Sequence, residues 1–281
     1  MANILVTGSN GQLGSELKEL ERDFSQHNFI FTDIAELDLT KSDVVSSFII
    51  DNKVEVCINC AAYTAVDNAE DDQELALLVN SAAVKNLAIA CKNANARLIH
   101  ISTDYVFDGT NHMPYVETDA PSPNSYYGFS KLEGEKSVTN NIDNFVIIRT
   151  SWLYSSFGNN FVKTMIRLGK ERDELGVVVD QIGTPTAAAD LAFAIMSTVE
   201  SNKTGIYHYS NQGVISWYDF AVSIMDICNL NCKVKPIESK DFPAKANRPF
   251  YSVLNKAKIS NDFNLDIPYW LDSLKVMIGK L

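Results

Sequence analysis

Tyr127 and Lys131 stand four residues apart in Pro121-Ser-Pro-Asn-Ser-Tyr-Tyr127-Gly-Phe-Ser-Lys131. Past Pro123 the pattern turns helical, and residues four apart on a helix share a face. Tyr126, five residues from Lys131, points elsewhere. A phenol titrates at about 10, and a neighbouring ammonium favours its ionised form. Such a pair can pass a proton near neutral pH, the task of a general acid in carbonyl reduction. A bare Tyr-x-x-x-Lys also occurs in ordinary helices, so this chemistry needs a hydride donor beside it. Ser102-Thr103-Asp104, closing the apolar run that starts at Arg97, offers further polar groups where a strand should end.

The seat of a donor lies near the N-terminus. Ile4-Leu5-Val6 suits a strand buried on both faces, and Gly8, Gly11 and Gly14 follow it at intervals of three. Leu13, Leu17 and Leu20 begin a helical pattern among the glycines. Strand, glycine turn and helix form a phosphate-binding unit, in which backbone N–H groups and the helix dipole meet a pyrophosphate. The spacing is G-x-x-G-x-x-G rather than the commoner G-x-G-x-x-G, and it also fits a tight strand-to-helix turn. Asp33 ends the run Phe29-Ile-Phe-Thr-Asp33, about where an acidic residue holds an adenosine ribose. No basic residue adjoins it, so the 2′-hydroxyl of NADH fits somewhat better than the 2′-phosphate of NADPH.

Elements that would position these groups alternate at intervals of about thirty residues through the first half, the signature of a parallel sheet wound on both faces. Lys41 to Asn52 and Glu70 to Asn95 read as helices, the latter through an apolar stripe from Leu75 to Cys91. Val54 to Asn59, Arg97 to Ser102 and Phe145 to Thr150 read as strands. Ligands of open α/β sheets lie beyond the carboxyl ends of strands, so Asn59, Ser102-Thr103-Asp104 and Thr150-Ser-Trp152 should converge near the glycine loop. Ala61-Ala62-Tyr63-Thr64 either leaves room for a flat ring or serves close helix packing. After residue 150 the rhythm loosens, with helices at 160–171, 187–201 and 217–230 and short strands near Val177 and Ile206. The fold expected is α/β: a Rossmann-type doubly wound parallel sheet with a smaller C-terminal lobe. Residues 1–150 should bind a dinucleotide, with later segments returning to them, and 151–281 should mainly form the substrate-binding lobe.

A chain of 281 residues can bury a large core, and 46% hydrophobic with 21% charged residues is ordinary for a globular protein. The net charge of −11 argues against nucleic acid and anionic membrane as partners. No apolar run reads as long enough to span a bilayer and no leader pattern is seen, so a cytoplasmic protein is expected. Cys57-Ile-Asn-Cys60 resembles a redox or zinc motif but falls in a buried strand with no second pair, and His27, His100, His112 and His208 are scattered. No metal site is expected.

The glycine loop, Ser102-Thr103 and the Tyr127/Lys131 pair together resemble the extended short-chain dehydrogenase/reductases. Within them the chain resembles the dTDP-4-dehydrorhamnose reductase family. The matching segments are Leu5-Val-Thr-Gly-Ser-Asn-Gly-Gln-Leu-Gly14, Asn59-Cys-Ala-Ala-Tyr-Thr-Ala-Val-Asp67, Ser102-Thr-Asp-Tyr-Val-Phe-Asp-Gly109, Tyr127-Gly-Phe-Ser-Lys131, Arg149-Thr-Ser-Trp152, Gly158-Asn-Asn-Phe161 and Asn247-Arg-Pro249. They run in order through nearly the whole chain.

The resemblance implies an NAD(P)H-dependent reductase acting on the C4 keto group of a nucleotide-linked 6-deoxyhexulose, in dTDP-rhamnose and polysaccharide synthesis. It implies that Gly11, Gln12 and Leu13 touch the pyrophosphate, that Asp33, Asp38 and Leu39 line the adenosine side, and that Ala62, Tyr63 and Thr64 line the rest. Thr103 would bind substrate near its carbonyl, Tyr127 would protonate the C4 oxygen, and Lys131 would hold the nicotinamide ribose and depress the tyrosine pKa. Trp152 would face the sugar, or be plain core. Asn160 and Arg248 would serve the nucleotide diphosphate, though Arg248 could equally be a solvated surface charge. Asp104 reads as a turn former or supporting group rather than a catalytic acid. Some relatives dimerise through a carboxylate-held metal; Glu16 is present here, but alanines fill Pro185-Thr-Ala-Ala-Ala-Asp190. A monomer or a homodimer is expected. The same scaffold also hosts nucleotide-sugar epimerases and dehydratases, and non-catalytic nucleotide-binding subunits.

Overall fold

Ile4, Leu5 and Val6 are wholly buried, and their alternation feeds two different cores. Ile4 and Val6 point into a cluster with Leu13, Leu17, Leu191 and Ile195, whereas Leu5 joins Val45, Ile49, Leu87 and Leu98 on the opposite face. A strand apolar on both faces belongs at the centre of a sheet covered by helices on both sides. The computed structural model describes residues 1–281 and places it there.

Strands β1 (Asn3–Thr7), β2 (Asn28–Thr32), β3 (Val56–Asn59), β4 (Arg97–Thr103) and β5 (Phe145–Thr150) pair in parallel in the order β5-β4-β3-β1-β2. A sixth strand, Gly205–His208, adds in parallel to the β5 edge, so the short strand expected near Ile206 completes the main sheet. The order reverses between β1 and β3, which opens a crevice at their carboxyl ends. Helices α1 (Gln12–Leu20) and, later, Ala188–Val199 cover the Ile4/Val6 face. Helix α2 (Ser42–Asp51) and the long helix that follows β3 cover the other.

That long helix is built from α3 (Gln73–Leu77), one π-type turn (Leu78–Ala82) and α4 (Ala83–Asn93). It runs 21 residues, and an 18-residue stretch of it with mean hydropathy of 1.4 matches a spanning segment by length and composition, contrary to the expectation from sequence. The apolar residues Val84, Leu87, Ala88, Ala90 and Cys91 pack into the core on that face of the sheet, which accounts for that composition. Helix α5 (Tyr126–Thr139) starts at Ser125, whose side chain accepts from Gly128 N at 3.2 Å.

The second half builds its own core from Tyr154, Val162, Phe220, Ile224, Trp270 and Leu274, among others. Helices at Phe161–Glu171, Ala188–Val199 and Trp217–Ile227 fall where periodicity places them. The strand Lys233–Ile237, paired with Glu174–Val178, and the helices Ala257–Phe263 and Trp270–Ile278 were not legible from pattern.

Candidate active site

The glycine loop turns between β1 and α1. Gly8 has φ of +65°, and a Cβ there would meet the Ala61 backbone at 2.6 Å, so both conformation and packing require glycine. Gly11 differs: a Cβ would meet only Gly8 O, at 3.2 Å, and otherwise face open space. It is also the N-cap of α1, and no side chain caps the first-turn amides. A cradle that one methyl would fill, edged by uncapped N–H groups, fits a pyrophosphate. Leu13 lies in the core, so only its backbone faces this loop.

A cavity of about 360 Å³ opens beside the loop, and Gly8, Gly11, Asp33, Asp38, Leu39 and Ala62 line it as the sequence reading expects. Thr7, Ile34, Cys60 and Val79 line it too and were missed, since their types are those of any core or strand end. Asp33 accepts from Asn10 N at 3.0 Å and Ile34 N at 2.8 Å, tying the glycine loop to the end of β2. An ionised carboxylate offers about four acceptor sites, so capacity remains for a ribose hydroxyl. Lys18, on α1, reaches Asn10 Oδ1 at 3.0 Å, and Lys41 lies 3.4 Å from Asp38. Basic groups thus come near Asp33 and Asp38 from elsewhere in the fold. Burial pushes the Cys60 thiol up to about 12, so it stays a neutral wall rather than a redox group.

Ala62 faces the cavity, while the Tyr63 hydroxyl donates to Asp72 at 3.1 Å and Thr64 is exposed. This segment is held by Asn80, a wholly buried residue of the π turn. Asn80 accepts from Tyr63 N at 2.9 Å and donates to Tyr63 O at 3.0 Å and to Ser130 Oγ at 2.9 Å. Such turns inside helices often mark functional sites.

Thr103 ends β4, and its hydroxyl donates to Asp104 Oδ1 at 3.0 Å while accepting from Tyr105 N at 3.2 Å. Tyr127 opens α5 with its ring edge-on to Tyr105, centroids 5.5 Å apart. Lys131 is 2% exposed and donates from Nζ to the Ile101 carbonyl at 2.7 Å. Burial drives its ammonium down to about 8. One expectation is overturned here. Burial raises the Tyr127 phenol above its ordinary range, hydrogen bonding with Thr103 opposes that only in part, and Asp104 pushes it further up. The direction is thus upward, set by desolvation, with no lowering by Lys131 of the kind the resemblance implies. Asp104 begins the single helical turn Asp104–Val106; burial raises its carboxyl to about 6, and its Oδ2 is buried with no partner.

Trp152 follows β5 with φ of +47°, a conformation costly for a bulky side chain, and stacks on Trp217 at 3.7 Å. Trp217 was missed because it opens a helix 65 residues later. Asn160 caps the helix Phe161–Glu171 and donates to Gln12 Oε1 at 3.0 Å, joining the glycine loop to the second half of the chain. Arg248 is no solvated charge: Nη2 pairs with Asp67 at 2.7 Å, Nη1 meets Tyr105 Oη at 3.3 Å, and buried Nε has no partner. Arg248, Tyr105 and Tyr127 thus form a continuous row.

The chain matches the family described as RmlD substrate binding domain over residues 1–281. It is 42% identical over 287 aligned positions to a dTDP-4-dehydrorhamnose reductase of Aggregatibacter actinomycetemcomitans, with 98% of each chain covered. A solved dTDP-4-dehydrorhamnose reductase from Clostridium acetobutylicum superposes with a TM-score of 0.96 at 44% identity, covering 99% of both chains. One from Bacillus anthracis, solved in complex with NADP, gives a TM-score of 0.96 at 40% identity over 100% of this chain and 99% of that one. Glycine loop, strand ends and helix α5 therefore agree with a match spanning residues 1–281: the chain belongs to the RmlD substrate binding domain family.

Proposed function

We infer that this chain reduces the C4 keto group of dTDP-6-deoxy-L-lyxo-4-hexulose to dTDP-L-rhamnose with a nicotinamide cofactor, in dTDP-rhamnose and cell-surface polysaccharide synthesis. The observation that carries the reading is Tyr127, one helical turn from Lys131, packed on the Tyr105 ring two residues beyond Thr103 at the carboxyl end of β4. When bound, the nicotinamide supplies a hydride to the C4 carbon. Tyr127 gives its proton to the C4 oxygen, and its burial keeps that proton in place until negative charge develops there. Thr103 orients the carbonyl by hydrogen bonding, while Lys131, anchored on Ile101 O, holds the nicotinamide ribose. Trp152 on its Trp217 support packs against the hexose, and Asp104 accepts from a sugar hydroxyl. Arg248, with a spare Nε donor, and Asn160 serve the diphosphate.

Residues 1–150 with the returning strand Gly205–His208 bind the dinucleotide in this reading, and 151–281 mainly hold the nucleotide sugar. Asp33 favours NADH slightly, and Lys18 supplies a cation by which a 2′-phosphate is also accepted. We place the reaction in the cytoplasm, carried out by a monomer or homodimer. Supplying the keto sugar with NADH and NADPH separately tests the reading. Stoichiometric loss of reduced-cofactor absorbance with formation of dTDP-L-rhamnose is expected. Retention of cofactor through purification with no net consumption would instead indicate an epimerase or dehydratase.

A further inference from the structure

Glu135 lies one turn beyond Lys131 on α5, so Tyr127, Lys131 and Glu135 follow one another along a single face. It is 3% exposed, and both of its oxygens are engaged. Oε1 accepts from Ser102 Oγ at 2.6 Å and from Arg149 Nε at 2.8 Å, and Oε2 accepts from Arg149 Nη2 at 2.7 Å. Ser102 immediately precedes Thr103 on β4, and Arg149 lies on β5 three residues before Trp152. The guanidinium sits over the Phe107 ring, 5.0 Å from its centroid, and Nη1 meets His208 Nε2 at 3.4 Å. His208 Nδ1, 3.0 Å from the Tyr115 carbonyl, carries the ring proton in this arrangement and leaves Nε2 to accept. Burial and the Arg149 charge lower that imidazole to about 3, so it is neutral. A buried ion pair gains little over apolar side chains of equal volume, because desolvation offsets the attraction. Its place here, joining the three elements that carry Tyr127, Thr103 and Trp152, therefore points to a role in the site.

We propose that Glu135 is a positioning residue of this reductase: its carboxylate clamps the catalytic helix to the ends of β4 and β5 and keeps the Lys131 ammonium charged. The proposal rests on the reductase reading for what Lys131 does. Around Lys131 stand Tyr127 and Glu135 on its own helix, Cys60 just after β3 and His100 on β4, with Arg149 reaching this set only through Glu135. The Cys60 thiol is protonated, and burial holds His100 well below its ordinary value, so both are neutral. Glu135 is the anion of this set. It opposes the downward push that burial exerts on Lys131. Removing its charge frees the ammonium to lose its proton at still lower pH.

The test uses the full chain with Glu135→Gln, which keeps shape and loses charge. A second variant, Glu135→Gln with Arg149→Met, removes both charges together, the change a buried pair tolerates best. Two quantities are followed against pH: NADPH affinity by its fluorescence, and kcat/KM with the keto sugar. The alkaline limb of both should move to lower pH by about one unit in the single variant, and by less in the double variant, where no unpaired cation is left beside position 135. At a pH near the limb, kcat should fall about tenfold, with KM for the keto sugar changing less. A folded Glu135→Gln variant whose two limbs stay in place overturns the proposal, even if it melts earlier, because a purely structural pair would lower stability alone. Absence of turnover in the unaltered chain would sink the reductase reading, while the NADPH limb would still decide whether Glu135 holds the Lys131 charge.

Discussion

Tyr127 illustrates how a side chain's environment decides its chemistry more than its neighbour does. Lys131 lies one turn away, yet burial raises the phenol, which suits the proton-donating role proposed for it. Replacing Tyr127 with Phe should lower turnover by roughly 10²- to 10⁴-fold while NADPH affinity stays near that of the unaltered chain, as steady-state rates and fluorescence titration would show. Asp104 carries the opposite lesson about cost. Its carboxyl is raised to about 6 from an ordinary 3.8. A group raised on folding contributes full stability below its unfolded value and loses that contribution as pH climbs through about 6. Asp104→Asn should therefore be more stable than the unaltered chain at pH 7 by on the order of 2 kcal/mol, with the gain vanishing near pH 4. Denaturant unfolding at the two pH values checks this, and a weaker hold on the keto sugar should accompany the gain.

At the scale of elements, the glycine loop separates packing from binding. A Cβ on Gly14 would lie 2.5 Å from Ser9 Cα and 2.6 Å from Gly8 O, both backbone atoms that cannot yield. Gly14→Ala should cost about 1–3 kcal/mol by overpacking, read as a lower denaturation midpoint. Gly11→Ala meets almost nothing, so its stability should change by less than about 1 kcal/mol. The added methyl would sit where the pyrophosphate is expected, and NADPH affinity should drop by at least about tenfold. Equal effects of the two substitutions on folding would refute this division of labour. Helix α5 gains its fixed start from Ser125 and its fixed face from Asn80, which joins Ser130 to the Tyr63 backbone.

Across the whole molecule, two hydrogen bonds link helix α1, which opens from the glycine loop, to the second half of the chain. Gln12 Oε1 accepts from Asn160 Nδ2 at 3.0 Å, and Glu16, 4% exposed, accepts from Ser155 Oγ at 2.6 Å. Both partners flank the loop between the strand Leu153–Tyr154 and the helix Phe161–Glu171. Asn160→Ala should remove the helix cap at a cost of about 1 kcal/mol and weaken binding of both NADPH and dTDP. Calorimetric unfolding and separate titrations would check both parts, and an effect confined to stability would count against a shared role for this loop.

Much of this protein is written in local pattern. The alternation of Ile4, Leu5 and Val6, the glycine triplet, Asp33 at the end of its strand, and Tyr127 four residues before Lys131 follow from periodicity and residue type, which depend only on near neighbours. The parallel sheet and most helices of the second half were legible for the same reason. Other features arise from residues far apart in the chain, where no spacing rule operates: the Trp152–Trp217 stack, Arg248 on Asp67, Asn80 holding Tyr63, and Glu135 bound to Ser102 and Arg149. The sign of the Tyr127 shift belongs with them, because desolvation depends on what the whole fold packs around a group rather than on the residue one turn away.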